Sequence, residues 1–248
     1  MHISLSAETL FFLQGIPITN SFLTSTIVII LLSVAAILVG VNYQKLPSGL
    51  QHFFEMAYEM FEDLAVSIMG DKGRKYVPLC VTFFLFIISA NWLALVPGVG
   101  SIGFWEHVHG EKILVPFLSG ANADINTTLA LALVSVGAAQ VYGVKVSGLI
   151  GHLKHFTNPL EIVGEISKVL SFAFRLFGNI FAGEVLLLAA ASMLILVTGQ
   201  ETASFGVVGG LIQVPFLMLE IFVGFIQAFI FTVLSLVFIS LYVTHESH

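Results

Sequence analysis

"LEIVGEISKVLSFAFRLFGNIFAGEVLLLAAASMLILVT" (residues 160–198) is apolar throughout, yet it carries Glu161, Glu165, Lys168, Arg175 and Glu184. A continuous helix over this run would be about 58 Å long, against a hydrocarbon thickness of about 30 Å. A second run, Thr202–Thr244, carries one formal charge, Glu220. If Gly209 and Gly210 break it, the remainder still makes about 51 Å of helix. Each run could instead be a hairpin of two spans. The candidate turns, Gly178-Asn179 and Pro215, are flanked by apolar residues, and the reading favours two very long helices, 160–198 and 207–244. Such helices must be tilted or bent in a bilayer, and lipid alone rarely enforces so large a tilt. Something must pack along them.

The whole chain agrees with a membrane setting. Its 248 residues are 57% hydrophobic and 10% charged, where soluble domains carry about 25% charged residues. Mean hydropathy is +1.00. The reading is one all-α polytopic membrane domain over 1–248, with about five crossings. A net charge of −6 argues against a nucleic-acid partner. Cys80 is the single cysteine, which excludes an intrachain disulfide. The opening "MHISLSAETLFF" lacks the basic n-region and cleavage site of a signal peptide.

Three further spans are predicted: "FLTSTIVIILLSVAAILVGV" (22–41), "YVPLCVTFFLFIISANWLALV" (76–96) and 125–144, built around "TTLALALVSVGAAQVYGV". Between the first two, "PSGLQHFFEMAYEMFEDLAVSIMG" (47–70) places Phe53, Phe54, Ala57, Met60, Phe61 and Leu64 at helical spacing. Glu55, Glu59, Glu62 and Asp63 take the other positions. This predicts an amphipathic helix at the membrane surface or against a partner. Its acidic face favours a protein contact over anionic lipid. A plain water-facing linker helix is the simpler alternative.

Basic residues set the orientation. Lys45, Lys72, Arg74 and Lys75 flank one loop, Lys145 and Lys154 another, and Lys112 alone stands on the opposite side. That opposite side also holds Glu106, Glu111, Asp124 and Glu201. Five crossings then put the N-terminus outside and the C-terminus inside.

Ionisable groups within apolar segments are costly and mark candidate sites. Glu161, Glu165 and Lys168 lie in the opening turns of the first long run, where snorkelling to water is the bland account. Arg175 and Glu184 lie too deep for that. At about 100° per residue, Ser171, Arg175 and Asn179 share one face, with Lys168 and Glu161 close to it. Glu184 falls about 180° from Arg175. The two are poorly placed for an intrahelical ion pair. In the last run Gln213, Glu220 and Gln227 recur every seven residues, and Gly224 suggests close helix packing. Gln213 reads as interhelical glue, whereas Glu220, with no cation on its face, is a candidate for proton exchange. Arginine stays protonated, so Arg175 is a fixed electrostatic element and not a relay.

"RLFGNIFAGE" (175–184), "IQAFIFTVLSLVFIS" (226–240), "ANADINTTLALAL" (121–133), "ANWLALVPG" (90–98) and "NPLE" (158–161) occur in one order along the chain. With them the sequence resembles subunit a of the F-type ATP synthase, the membrane stator beside a rotating ring of c-subunits. The resemblance implies that Arg175 is the essential arginine facing the ring carboxylate. It implies that Asn179, Glu184, Glu220 and Gln227, with Asp124 and Asn126 at the entry, form the outer proton path. Glu161, Lys168 and Ser171 match the inner path. Some family members carry His at the Glu220 position, traded against the Glu184 position; here both are Glu. The resemblance further implies proton translocation without catalysis by the chain itself, and no cofactor. Its partners would be the c-ring proteolipids, b-type peripheral stalk subunits, the remaining F1Fo subunits and membrane lipid. The location would be an energy-coupling membrane such as a bacterial plasma membrane.

Two other classes compete with that reading. A secondary transporter could use Arg175 to bind an anion, but no inverted repeat supports it. A non-transporting scaffold would tolerate neutral residues at Arg175 and Glu220. "HVHGE" (107–111) offers His107 and His109 as weak metal ligands and reads as a solvated loop. His152 and His155 read the same way, and the tail "VTHESH" reads as a short polar end.

Overall fold

Backbone amides and carbonyls have no partners in hydrocarbon, so apolar runs of this length close their hydrogen bonds within helices. The computed structural model describes residues 8–13, 15–47, 49–96, 99, 102–108, 111–155, 158–198 and 207–244. His109, Glu201, most of the "VTHESH" tail and the first seven residues lie outside them. Six helices dominate: α1 (Asn20–Val41), α2 (Leu50–Met69), α3 (Val77–Ala94), α4 (Ile125–His155), α5 (Pro159–Thr198) and α6 (Val207–Thr244). A 3-10 segment, Gly70–Tyr76, joins α2 to α3, and a 3-10 turn, Ala121–Ala123, precedes α4. Five stretches among the described residues are long and apolar enough to cross a membrane. They are Asn20–Val41, Leu50–Ala94 (α2 through α3), Ile125–His152, Pro159–Leu187 and Gln213–Val243. The protein is an all-α polytopic membrane protein. Neither Gly178-Asn179 nor Pro215 ends a helix; α5 and α6 run through them.

Two antiparallel hairpins were not anticipated. Strands β1 (Thr9–Leu13) and β2 (Ile16–Thr19) pair around Gly15, whose φ of 87° suits glycine. Strands β3 (Gly103–Val108) and β4 (Glu111–Pro116) pair with His107 opposite Lys112. His107 therefore belongs to a strand and not to a loop. The aromatic and β-branched residues of "GFWEHV" and "EKILVP" explain the pairing.

The helix α2 buries Ala57, Phe61, Ala65 and Met69 against this chain's own bundle. Phe61 packs at a tilt against Phe84 of α3 and Phe229 of α6, with centroids 5.1 and 6.0 Å apart. The apolar stripe thus finds its protein contact within the chain, and the acidic face keeps Arg74 in an ion pair with Glu62 at 2.6 Å. After Met69 the chain doubles back so tightly that a Cβ on Gly73 would stand 2.2 Å from the Ala65 carbonyl oxygen.

The bundle core lies where α3, α4, α5 and α6 meet. Ala132, Ala139 and Ala228 are buried there, and small residues let helix backbones approach. Ser135 and Ser235 share a hydrogen bond of 2.6 Å across α4 and α6. The helices α5 and α6 run antiparallel. Phe172 meets Phe231, Asn179 meets Gln227, and Glu165 meets Tyr242. α4 is broken at Gly148 (φ 71°, ψ 163°), beyond which residues 149–155 fold back. α1 stands at the margin, with Ile29, Ile30, Val34, Ile37 and Leu38 exposed. An exposed apolar helix face fits lipid contact.

Gly73→Ala is expected to destabilise the protein by about 1–3 kcal/mol, because the clash is with backbone. Gly137→Ala, in a helix and with nothing within 4 Å of the new Cβ, should stabilise by up to about 1 kcal/mol. Thermal unfolding of the detergent-solubilised protein measures both.

Candidate functional site

Three polar clusters line the α5–α6 seam. Glu165 and Glu184 are separated by about 28 Å of helix, with Arg175 near the midpoint.

At the Asp124 end, the 3-10 turn carries polar groups into the bundle. Asn122 donates to Asn91 Oδ1 at 2.7 Å, and Asn91 donates to the Gly224 carbonyl at 3.1 Å. Trp92 Nε1 donates to the Ile221 carbonyl at 3.2 Å. Asp124 is buried, and its Oδ1 accepts from the Asn126 backbone at 2.9 Å and side chain at 3.1 Å, capping α4. Glu184 reaches Gly120, where a Cβ would lie 2.7 Å from its Oε1. Glu220 lies on Gly183, where a Cβ would lie 2.5 Å from its Oε1. The carboxylates of Glu184 and Glu220 are close enough to interact through their charges. Glu220 is 8% exposed, and its Oε2 has no hydrogen-bond partner among the described residues. Both glycines are therefore seats for a carboxylate.

At the midpoint, Asn179 Nδ2 donates to Gln227 Oε1 at 2.6 Å, tying α5 to α6. Gln227 is buried and Asn179 exposed. Arg175 is half-buried, and its Nη2 approaches Ser171 Oγ at 3.5 Å. Among the described residues, no carboxylate forms an ion pair with Arg175. A Cβ on neighbouring Gly178 would meet nothing within 4 Å. Arg175 and Glu184 meet different neighbours, as expected of opposite helix faces. Gln213 is half-buried nearer the start of α6.

At the other end, Glu165 accepts from Lys168 Nζ, from the Tyr242 hydroxyl and from Gln140 Nε2 at 2.5, 2.5 and 2.7 Å. Glu161 and Lys168 line an open cleft of about 250 Å³ with Asn158, Leu160, Gly164 and Glu165. Ser171 lies one turn beyond Lys168, on the way to Arg175.

The structure thus brings Glu184 and Glu220 together, pairs Asn179 with Gln227, and puts Glu161 and Lys168 in one cleft. Asp124 and Asn126 bond to each other. The sequence did not single out Asn91, Asn122, Gln140 or Tyr242; it offered Glu165 as either a candidate site residue or a group snorkelling to water, and His152 as a solvated loop residue. Polar side chains inside apolar spans were the available signal. No group of three or more His, Cys, Asp or Glu fit to hold a metal occurs among the described residues.

A half-buried arginine with no ion pair among the described residues, on a bundle with five stretches long and apolar enough to cross a membrane, fits an integral membrane protein. A profile of the ATP synthase A chain family matches residues 22–240. The chain belongs to that family. It is 30% identical to ATP synthase subunit a of Moorella thermoacetica over 240 residues, covering 94% of this chain and 95% of the relative. It is 34% identical to ATP synthase subunit a of Syntrophobacter fumaroxidans, covering 82% and 75% of the two chains. For the corresponding protein of Desulforamulus reducens the identity is 34%, with 81% and 70% covered.

Gly183→Ala is expected to push the Glu220 carboxylate aside by about 1 Å, since a 2.5 Å approach must relax toward an ordinary 3.4 Å contact. The glutamate end can move, so α5 should persist. A structure of the variant would measure the shift.

Proposed function

We propose that this chain is the proton-translocating stator subunit of a rotary F-type ATP synthase, providing two offset half-channels to a ring of c-subunits. The observation that carries the reading is Arg175. It is a permanent cation deep in α5, it has no carboxylate partner among the described residues, and open space lies beside it at Gly178. A buried or lipid-facing charge without a partner is costly. A carboxylate arriving on a neighbouring ring supplies that partner.

In this reading the Asp124 end faces outside, as does the N-terminus, and the Glu165 end and C-terminus face inside. During synthesis a proton enters past Asp124 and Asn126, reaches Glu184 and Glu220, and passes to a ring carboxylate. Asn179 and Gln227 hold the two helices in register beside the handover point. The neutralised carboxyl turns into lipid. A carboxyl completing the turn loses its proton toward Ser171, Lys168 and Glu161 in the opposite cleft. Arg175 stabilises the ionised carboxylate and repels a proton attempting to cross directly. The membrane potential supplies about 2.3 kcal/mol per charge per 100 mV. That energy becomes torque only if the half-channels remain offset, which the separation along α5 supports. The steep tilt inferred for α5 and α6 lets both helices follow the ring surface. b-type stalk subunits hold the stator against that torque, and the exposed faces meet lipid of a bacterial plasma membrane. The chain carries protons without catalysing bond chemistry.

Arg175→Ala in the whole complex is expected to abolish ATP-driven proton pumping in inverted vesicles; pumping at the parental rate would sink the reading. Glu220→Gln removes the proton-accepting charge but keeps the shape. It should slow translocation by about tenfold or more, the scale of losing a positioned acid–base group. Ring copurification should stay at the parental level. Unchanged translocation across pH would make Glu220 a structural residue only.

A further inference from the structure

Beyond the two half-channels, the Glu165 end holds a closed hydrogen-bond chain drawn from three helices. Its direction is fixed by chemistry. A carboxylate only accepts, so Gln140 must present Nε2 to Glu165, which turns Gln140 Oε1 toward His152. His152 Nε2 then donates to that oxygen at 2.6 Å. Gln140 Nε2 also donates to the Tyr242 hydroxyl at 2.9 Å, and Tyr242 in turn donates to Glu165. All four links lead to Glu165, both of whose carboxylate oxygens accept from protein donors.

His152 arrives only because the chain reverses at Gly148, where φ is +71°. Its ring stacks edge-on to Tyr242 with centroids 5.3 Å apart. It also rests on Gly143, where a Cβ would stand 2.7 Å from Cε1 and 2.9 Å from Nδ1. The titratable groups facing Glu165 are Glu161 and Lys168 of its own helix, Tyr242 of α6 and, through Gln140, His152 of the reversed segment. Lys168 is further confined over the rings of Phe238 and Tyr242 at 5.1 and 5.5 Å.

We propose that the reversed segment 149–155 is a clasp which, through His152, Gln140 and Tyr242, fixes Glu165 as the standing counter-charge of Lys168 at the cleft, leaving Glu161 as the carboxylate that exchanges protons there. Gln140, Tyr242 and His152 are positioning residues in this arrangement, because they act through Glu165. The inference rests on the translocation reading above. When the clasp is loosened, Glu165 no longer confines Lys168. The lysine charge then moves toward Glu161 and opposes its protonation. Proton uptake from the inner side suffers most where protons are scarce.

The test uses inverted vesicles carrying the complete complex, whose medium bathes the inner side. Gln140→Leu, Tyr242→Phe and Gly143→Ala are each expected to slow ATP-driven proton pumping about two- to tenfold, the size of one net hydrogen bond. Each should also shift the alkaline limb of the pH profile to lower pH. The Gln140→Leu, Tyr242→Phe double variant should be no slower than the worse single, since both break one device. A loss equal at every pH, or one that follows loss of the c-ring from the complex, would overturn the clasp. So would parental rates and profiles in all three variants. Arg175→Ala in the same vesicles separates the two ideas. If it is inactive while the clasp variants pump normally, only the clasp falls; if it pumps normally, the translocation reading falls too.

Discussion

The antiparallel contact between α5 and α6 is the constraint on which the other features depend. It is a long seam of aromatic and small side chains, with Phe172 on Phe231 and the Asn179–Gln227 hydrogen bond near its middle. Lipid supplies no hydrophobic drive for helices to associate, so packing and interhelical hydrogen bonds must do it. The same seam decides what meets what. It sets Glu220 on Gly183 and brings Tyr242 to Glu165. A slip of one helical turn would displace both seats by about 5.4 Å and dismantle each end at once.

Glycine has two separate uses here. Gly120 and Gly183 leave room for carboxylates, and Gly143 leaves room for an imidazole. Gly148 acts through its backbone, since its positive φ reverses the chain within α4. The two uses combine at the Glu165 end, where the reversal delivers the ring that the seat accepts. Polar side chains inside the bundle are thus placed by backbone features several residues away from them.

The ends of the bundle differ in how their carboxylates are served. Glu165 has three donors. Glu220 is buried with one oxygen unpartnered among the described residues. A carboxylate bonded through both oxygens is an anchor, and an under-bonded one can take part in exchange. Asp124 belongs with the anchors by its local contacts, since it caps α4.

Helices and their number were legible in the sequence because the bilayer forces apolar runs into helices, and hydropathy is a local property. The opposite faces of Arg175 and Glu184 were legible too, because helical period needs no tertiary knowledge. The β3–β4 hairpin was missed: its aromatic and β-branched residues fall in two runs of six, too short to register when apolar length is the guide. The partners of Glu165 were hidden for a different reason. Gln140 and Tyr242 lie 25 and 77 positions away, and His152 joins only after a single glycine turns the chain. The sequence by itself determined a polytopic helical protein with an arginine and several carboxylates inside its apolar runs. Only the tertiary structure decided which carboxylates stand together and which is held, because those pairings depend on the register between helices and not on the period within one.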